Sequence, residues 1–132
     1  MITSGVYDYV NVLGVAADGA WRRNEVIANN IANANTPNYK RKDVSFETEL
    51  KHALKSSKYV SLDSRVQELN ENLSRIRPRT YVDSSAAFSY RLDGNNVDID
   101  TENVELASNQ IKYNGIVASL NNEFANLKAV IK

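Results

Sequence analysis

Acidic side chains crowd the stretch DGNNVDIDTE, residues 93–102, and carboxylate oxygens are the ligands that calcium prefers. A calcium loop of the helix–loop–helix kind also needs an oxygen ligand at its fifth position and Gly at its sixth. Counted from Asp93, these positions hold Val97 and Asp98. We therefore predict no metal site, but a tight turn followed by a helix that Asp98 or Asp100 caps.

Nucleophiles and bases are scarce in this sequence. His52 is the single histidine, there is no cysteine, and no glycine-rich phosphate-binding loop occurs. We predict a solvated His52, no catalytic residue, no cofactor and no small-molecule substrate. The basic run Lys40-Arg41-Lys42 is a candidate contact for an acidic partner, although a solvated turn is the simpler interpretation.

Composition narrows the partners and the location. Lys plus Arg number 16 and Asp plus Glu number 16, so the formal net charge is +0 and no attraction to nucleic acid is implied. The first residues lack the basic and apolar regions of a secretory signal, and no stretch is apolar enough to span a membrane. If the chain leaves the cytoplasm, we expect a route without a cleaved signal peptide.

Two long helices at the termini must position these residues. The 132 residues are enough for one domain, 1–132. Its first helix is predicted over about 5–34. Asn24 is the polar position of its heptad seam, and it either fixes the register or is partly exposed. The seam consists of Val6, Val10, Leu13, Ala17, Ala20, Asn24, Ile27 and Ile31. The last helix is predicted over about 100–132, where Gln110 alone breaks the seam Leu106, Tyr113, Val117, Leu120, Phe124, Leu127 and Ile131. We predict a mainly α fold in which these helices pair as a coiled coil or bundle.

The first helix should end near Asn35, because Pro37 removes a backbone donor and restricts the residue before it. Asn33 or Asn35 can supply a left-handed cap. Residues 35–43 then form a turn, in which Thr36-Pro37-Asn38-Tyr39 fits type I or, with positive φ at Asn38, type II.

The middle of the chain is predicted to hold a short helix and a small irregular, β-containing segment. Residues 44–56 read as an amphipathic helix, and 57–99 as a variable region. Within it, Ser64 and the glutamine three residues later resemble a capping box. They would start a third helix with the apolar positions Val66, Leu69, Leu73 and Ile76. TYV and FSYRL read as short strands or extended arms.

Five asparagines, Asn29, Asn30, Asn33, Asn35 and Asn38, crowd the end of the first helix. A helix end needs one cap, whereas a neutral amide can bond a neighbouring chain without the penalty of burying a charge. Caps and surface positions are the alternative interpretation. Our hypothesis is that amides here bond between subunits. The predicted contacts are Asn29, Asn30, Ile31, Asn33, Thr36, Pro37 and Tyr39, with Leu106, Tyr113, Val117, Leu120, Phe124 and Leu127 on the last helix.

Two motifs carry a resemblance to a known family. The stretch NNIANANTPNYK, residues 29–40, resembles the N-terminal signature of rod and hook proteins of the bacterial flagellum. The continuation RKDVSFETEL and the later stretch YRLDGNNVDID, residues 90–100, are similar to the proximal rod type (FlgB type) of the flagellar basal body rod protein family. Asn38 stands where the family often has Gly, and Asn35 where the proximal type often has Asp.

This resemblance implies a structural subunit of the rod, the drive shaft that joins the membrane ring to the hook. It implies assembly with like subunits, with other rod proteins and with the adaptor at the rod base, after passage through the flagellar type III export gate without a cleaved signal. Two seams with little shared core would order as they bury area against neighbours. The alternative from another class is a cytoplasmic coiled-coil adaptor or export chaperone.

Overall fold

The computed structural model describes residues 5–83 and 91–131. Its elements confirm the mainly α prediction. They are, in chain order, α1 (Gly5–Ala32), β1 (Lys42–Ser45), α2 (Glu47–Ser56), α3 (Leu62–Asn72) followed by a 3₁₀ turn (Leu73–Arg75), β2 (Arg79–Val82) and α4 (Ile99–Val130).

The two long helices pack together and run antiparallel. Arg23 of α1 bonds Glu105 of α4 at 3.1 Å, and the rings of Trp21 and Tyr113 lie 6.0 Å apart. The earlier residue of α1 therefore contacts the later residue of α4, as in an antiparallel pair. The predicted pairing of the terminal helices is therefore confirmed. Their bounds fall within two residues of the predicted 5–34 and 100–132.

Amides, not only apolar side chains, hold the α1–α4 contact. The two polar positions that interrupt the predicted seams meet, since Asn24 Nδ2 lies 3.4 Å from Gln110 Oε1. Asn109, outside the predicted seam, is buried and donates to the carbonyl of Ala20 at 2.7 Å and to Asn24 Oδ1 at 2.9 Å. The predicted seams contained Asn24 and Gln110 as their polar positions, whereas the contribution of Asn109 was not predicted.

The buried apolar cluster lies instead between α1 and the middle of the chain. It consists of Val26, Val44, Phe46, Leu69 and Ile76. Phe46 packs so closely on α1 that a Cβ on Gly19 would lie 2.4 Å from its ring. The glycine that lowers helix propensity in α1 is thus the residue that admits the Phe46 ring.

The predicted helix over 44–56 begins later than expected, at Glu47, because residues 42–45 are a strand. β1 pairs antiparallel with β2, with Lys42 opposite Val82. The β2 strand confirms the strand predicted at TYV. Most of FSYRL lies outside the described residues, and its last two residues form a bend and a turn rather than a strand.

A third helix is present in the predicted region, but its cap differs. Ser61, not Ser64, is the N-cap residue, and its side chain accepts the backbone N–H of Ser64 at 3.3 Å. Val66 and Leu69 are buried as their helical spacing indicates. None of the helices in the described part of the chain is both long and apolar enough to cross a membrane.

Candidate assembly site

The Thr-Pro turn closes as a type II turn. The Tyr39 N–H donates to the carbonyl of Thr36 at 3.3 Å, with Pro37 at the second position and a φ of 61° at Asn38. Asn38 also donates its N–H to the carbonyl of Asp93 at 2.8 Å. The positive-φ alternative for Asn38 is therefore confirmed, and the turn is tied to the second motif.

The predicted left-handed cap at Asn33 or Asn35 is wrong. Among the non-glycine residues that the structure describes, Asn38 alone has positive φ. The last turn of α1 tightens instead, with Ala34 donating its N–H to the carbonyl three residues before it at 3.1 Å. A tightened turn satisfies the terminal carbonyls of the helix without a left-handed residue. The chain therefore reverses later, at the Thr-Pro turn.

The second motif, residues 91–102, packs onto the first, residues 30–42, and we call this contact the motif joint. Asn95 is 1% exposed, and its Nδ2 donates to the carbonyls of Asn33 at 2.9 Å and Thr36 at 2.8 Å. Further bonds across the joint are Arg91 Nη1 to the Ala34 carbonyl (3.0 Å), Lys40 Nζ to the Gly94 carbonyl (2.7 Å) and the Arg41 N–H to Asn96 Oδ1 (2.7 Å). Both signature motifs therefore bind each other within one subunit.

Asn30 makes four hydrogen bonds in the motif joint and is fully buried. Its Nδ2 donates to the Lys42 carbonyl at 2.7 Å and to Glu102 Oε2 at 3.0 Å. Its Oδ1 accepts the Lys42 N–H at 3.0 Å and the Tyr39 hydroxyl at 3.2 Å. One amide thus fixes the start of β1, the Thr-Pro turn and the first turns of α4 relative to α1.

Glu102 is a charged residue with no solvent exposure, and Arg41 neutralises it. Arg41 Nε donates to Glu102 Oε1, and Arg41 Nη1 lies 3.3 Å from Asp43 and 3.2 Å from Asp83. Burial acts to lower the pKa of Arg41, but the hydrogen bond and charge of Glu102 and the charge of Asp43 outweigh it and raise that pKa. Burial and the Glu102 charge also raise the pKa of Tyr39. Removing either partner of this buried pair would leave an uncompensated charge.

The acidic stretch forms the predicted turn and capped helix. Asp93 Oδ1 accepts the Asn95 N–H at 3.1 Å, and Gly94 has a φ of 72°. Asp98 is the N-cap of α4 and accepts the Asp100 N–H at 3.0 Å and the Thr101 hydroxyl at 3.0 Å. Of the two proposed caps, Asp98 is confirmed. Hydrogen bonds to these carboxylates lower the pKa of Asp93 and of Asp98.

The structure divides the predicted contact residues by exposure. Asn29, Thr36, Pro37 and Phe124 are exposed and lie free to meet another chain. Half-buried positions are Ile31, Asn33, Tyr39, Leu106, Tyr113, Val117, Leu120 and Leu127, and Asn30 is buried. Sequence reasoning missed Asn95, Glu102 and Asn109 as parts of this site, although Asn95 lies within the second quoted motif, and it named Arg41 only as a candidate contact for an acidic partner.

Large apolar side chains remain exposed on both terminal helices. Trp21 is 63% exposed, and Ile111 is 73% exposed. The others on α4 and at its end are Ile99, Val104, Phe124, Val130 and Ile131. Val104 and Ile111 lie seven residues apart and therefore share one face of α4, and apolar side chains grouped on one face mark a surface that can bind another chain.

The paired helices use their polar groups within the fold and keep several large apolar side chains exposed, as a structural subunit that binds other chains would. Comparison with known proteins agrees. The family profile described as "Flagella basal body rod protein" matches residues 19–40, which include the Thr-Pro turn. The relatives described next are more than 30% identical over more than two thirds of the chain, so this chain belongs to the flagellar basal body rod protein family, and they confirm the resemblance to its FlgB type.

Relatives named flagellar basal body rod protein FlgB occur in several bacteria. That of Bacillus subtilis (strain 168) is 39% identical over 109 residues, which cover 83% of this chain and 81% of the relative. That of Borrelia hermsii is 35% identical over 136 residues, with 93% and 100% covered. That of Escherichia coli (strain K12) is 31% identical over 117 residues, with 84% and 83% covered. The chain is a structural subunit of the flagellar basal body rod, in a family of structural proteins rather than enzymes.

Proposed function

We propose that this chain is a proximal rod subunit that assembles helically, through its terminal helices, into the axial drive shaft needed for motility. The observation that carries this proposal is the set of exposed apolar side chains on α1 and α4. Covering such surface contributes about 25 cal/mol per Å² of apolar area buried. A contact between different faces of identical subunits continues as a helix when it does not close on itself.

The motif joint supports two different roles for the asparagines, one inside the subunit and one at its surface. Asn30 and Asn95 have their amides bonded inside the subunit, which supports a role in the fold. Asn29 is exposed beside the exposed residues Thr36 and Pro37, and we propose that this corner bonds a neighbouring subunit. In this proposal the joint keeps that corner in one orientation when the subunit docks.

The same proposal names the partners and the route. The subunit would contact like subunits, other rod proteins and the adaptor at the rod base, with the terminal helices forming coiled-coil contacts in the tube. It would pass the flagellar type III export gate without a cleaved signal peptide. The amide-rich α1–α4 contact supports this route, because a subunit with a modest apolar core is the easier one to unfold for passage.

Electron microscopy of basal bodies from a strain without this chain tests the proposal. We expect loss of rod, hook and filament, restored by the intact chain but not by one that lacks residues 101–132. Normal basal bodies in the deletion strain would overturn the proposal and favour the cytoplasmic adaptor or chaperone.

A second comparison separates folding from assembly. The double variant Val104→Gln and Ile111→Gln removes two exposed apolar side chains while keeping good helix formers in α4. We expect native circular dichroism and no rods. His52→Gln, at an exposed position of α2, is the matched control and should restore rods. Rods of normal length from the double variant would contradict the assembly surface.

A further inference from the structure

The small sheet has two outer edges, and the pairing of its strands decides which backbone groups reach them. Lys42 of β1 lies opposite Val82 of β2, and just beyond this pair the Asp83 N–H donates to the Arg41 carbonyl at 3.1 Å. Hydrogen-bonded and non-hydrogen-bonded pairs alternate along an antiparallel ladder, so Lys42 and Val82 form a non-hydrogen-bonded pair. Their backbone N–H and C=O groups therefore point away from each other, toward the outer edges. By the same alternation, those of Thr80 also point to the outer edge of β2.

Side chains of the same subunit close the outer edge of β1. Asn30 Oδ1 accepts the Lys42 N–H at 3.0 Å, and Asn30 Nδ2 donates to the Lys42 carbonyl at 2.7 Å. The Val44 N–H donates to Asp43 Oδ1 at 2.7 Å. The outward groups of β1 are thus already bonded, and this edge offers no place for a further strand.

The outer edge of β2, by contrast, is open. All of its residues are exposed, including the large side chains of Tyr81 at 46% and Val82 at 55%. Within the described part of the chain, no strand or side chain bonds the outward backbone groups of Thr80 and Val82. An exposed strand edge with unpaired N–H and C=O groups is a template on which another extended segment can pair.

The segment that leads into this edge is basic. Arg75, Arg77 and Arg79 lie between Glu71 and Asp83, with no acidic residue among them. All three arginines are exposed, and none forms an ion pair with a carboxylate of the described residues. Guanidinium groups bind carboxylates in a bidentate geometry, so the edge favours a segment that carries Asp or Glu. A second copy of β2 would bring three more arginines to the same sheet and is a poorer match.

We infer that β2 is the docking site for an extended acidic segment of another protein. The segment adds a third strand at the open edge, with its carboxylates beside Arg77 and Arg79. Main-chain hydrogen bonds to Thr80 and Val82 supply affinity, and the side chains supply specificity. The inference goes beyond the proposed rod function and does not depend on it, because that proposal concerns the exposed faces of α1 and α4.

A synthetic peptide of alternating glutamate and valine tests the site, with amide hydrogen exchange of the full chain measured by NMR. In the free chain, the Thr80 and Val82 N–H groups should exchange faster than the Tyr81 N–H, which the ladder to β1 protects. Saturation with the peptide should slow the exchange of Thr80 and Val82 by at least about ten-fold. A peptide with lysine in place of glutamate should leave both rates unchanged.

Methyl groups on the peptide nitrogens separate strand pairing from charge attraction. Alternate N–H groups of a strand point to opposite edges, so methylation of the valine nitrogens and of the glutamate nitrogens blocks different edges of the peptide. The net charge is the same in both peptides. We expect one of them to bind as before and the other to lose at least about ten-fold in affinity.

A substitution in the chain makes the matching test from the other side. Val82→Pro removes an outward N–H but no bond of the ladder to β1, and proline is tolerated at such an edge position. We expect this variant to lose peptide binding while the Tyr81 N–H keeps its slow exchange.

Four results would overturn the docking site. Unchanged exchange at millimolar peptide would show that the edge does not bind an acidic strand, and equal binding of both methylated peptides would leave only charge attraction. Slow exchange of Thr80 and Val82 that rises with protein concentration, without peptide, would assign the edge to a second copy. Protection by phosphatidylglycerol vesicles but not by the peptide would assign the arginines to an anionic membrane.

Discussion

Changing Asn30 to Asp alters a single group at a fully buried position of the motif joint. The substitution keeps Oδ1 and replaces the donor that bonds the Lys42 carbonyl at 2.7 Å and Glu102 at 3.0 Å. Each buried acceptor left without a donor costs roughly 1–3 kcal/mol. Repulsion between the new carboxylate and Glu102 adds to this loss. We expect Asn30→Asp to lower the free energy of unfolding by about 3–5 kcal/mol.

The assay is urea denaturation of the full chain, followed by far-UV circular dichroism. Asn29→Asp makes the identical chemical change one residue earlier, where the side chain is exposed and bonds only the Glu25 carbonyl, at 3.1 Å. We expect this control to change the free energy of unfolding by less than about 1 kcal/mol. Because both variants replace Asn by Asp in the same helix, the difference between their free energies of unfolding reports the effect of burial and not that of helix propensity.

The loss of stability in Asn30→Asp should also depend on pH. Burial beside Glu102 should raise the pKa of the introduced carboxyl in the folded state above its unfolded value. Because the folded-state pKa of the carboxyl is raised, the destabilisation that it causes is fully present at pH values above that pKa. It disappears as the pH falls below the unfolded value, because the protonated group is again a donor. Equal losses for the two variants at every pH would refute the assignment of Asn30 to the interior.

Three further predictions follow from single contacts. Gly19→Ala should destabilise the fold by about 1–3 kcal/mol, measured by urea denaturation, because the new methyl meets the Phe46 ring, whereas Gly14→Ala should be neutral or stabilising. Gly94→Ala should lower the melting temperature, since φ is 72° there. Because the pKa of Asp98 is lowered, the stabilisation by its carboxylate is present above the unfolded pKa and is lost as the pH falls through the folded pKa. In Asp98→Ala the free energy of unfolding should therefore fall less steeply as the solution is acidified.

Local signals allowed several elements to be predicted. The heptad spacing of the two terminal helices, the Thr-Pro turn and the Asp98 cap each depend on residues within a few positions of one another. Pro37 and Asn38 restricted the turn to type I or type II, and the φ of 61° at Asn38 in the structure decides for type II. Both long helices therefore began and ended close to the predicted positions.

Contacts between distant residues account for what the sequence did not reveal. β1 is four residues long and forms only because β2 pairs with it. Glu102 resembles a solvated residue in the first turn of a helix, and its burial depends on Arg41, 61 positions away. The partners of Asn30 lie as far as 72 residues along the chain. Residue types predict that such groups need partners when buried, but not which ones they meet.

The motif joint also sets the order in which the fold can be completed. Asn30 bonds the nearby Tyr39 and Lys42, but its bond to Glu102 and the bonds of Asn95 to Asn33 and Thr36 cannot form until residues 91–102 are available. Contacts of such long sequence separation form late, after the intervening loop has closed. A partial chain cannot assemble this joint, so the corner at Thr36 and Pro37 takes its final orientation only in chains that carry both motifs. In the proposed assembly, a chain that ends before residue 91 would lack the joint and would not hold this corner in the orientation that docking needs.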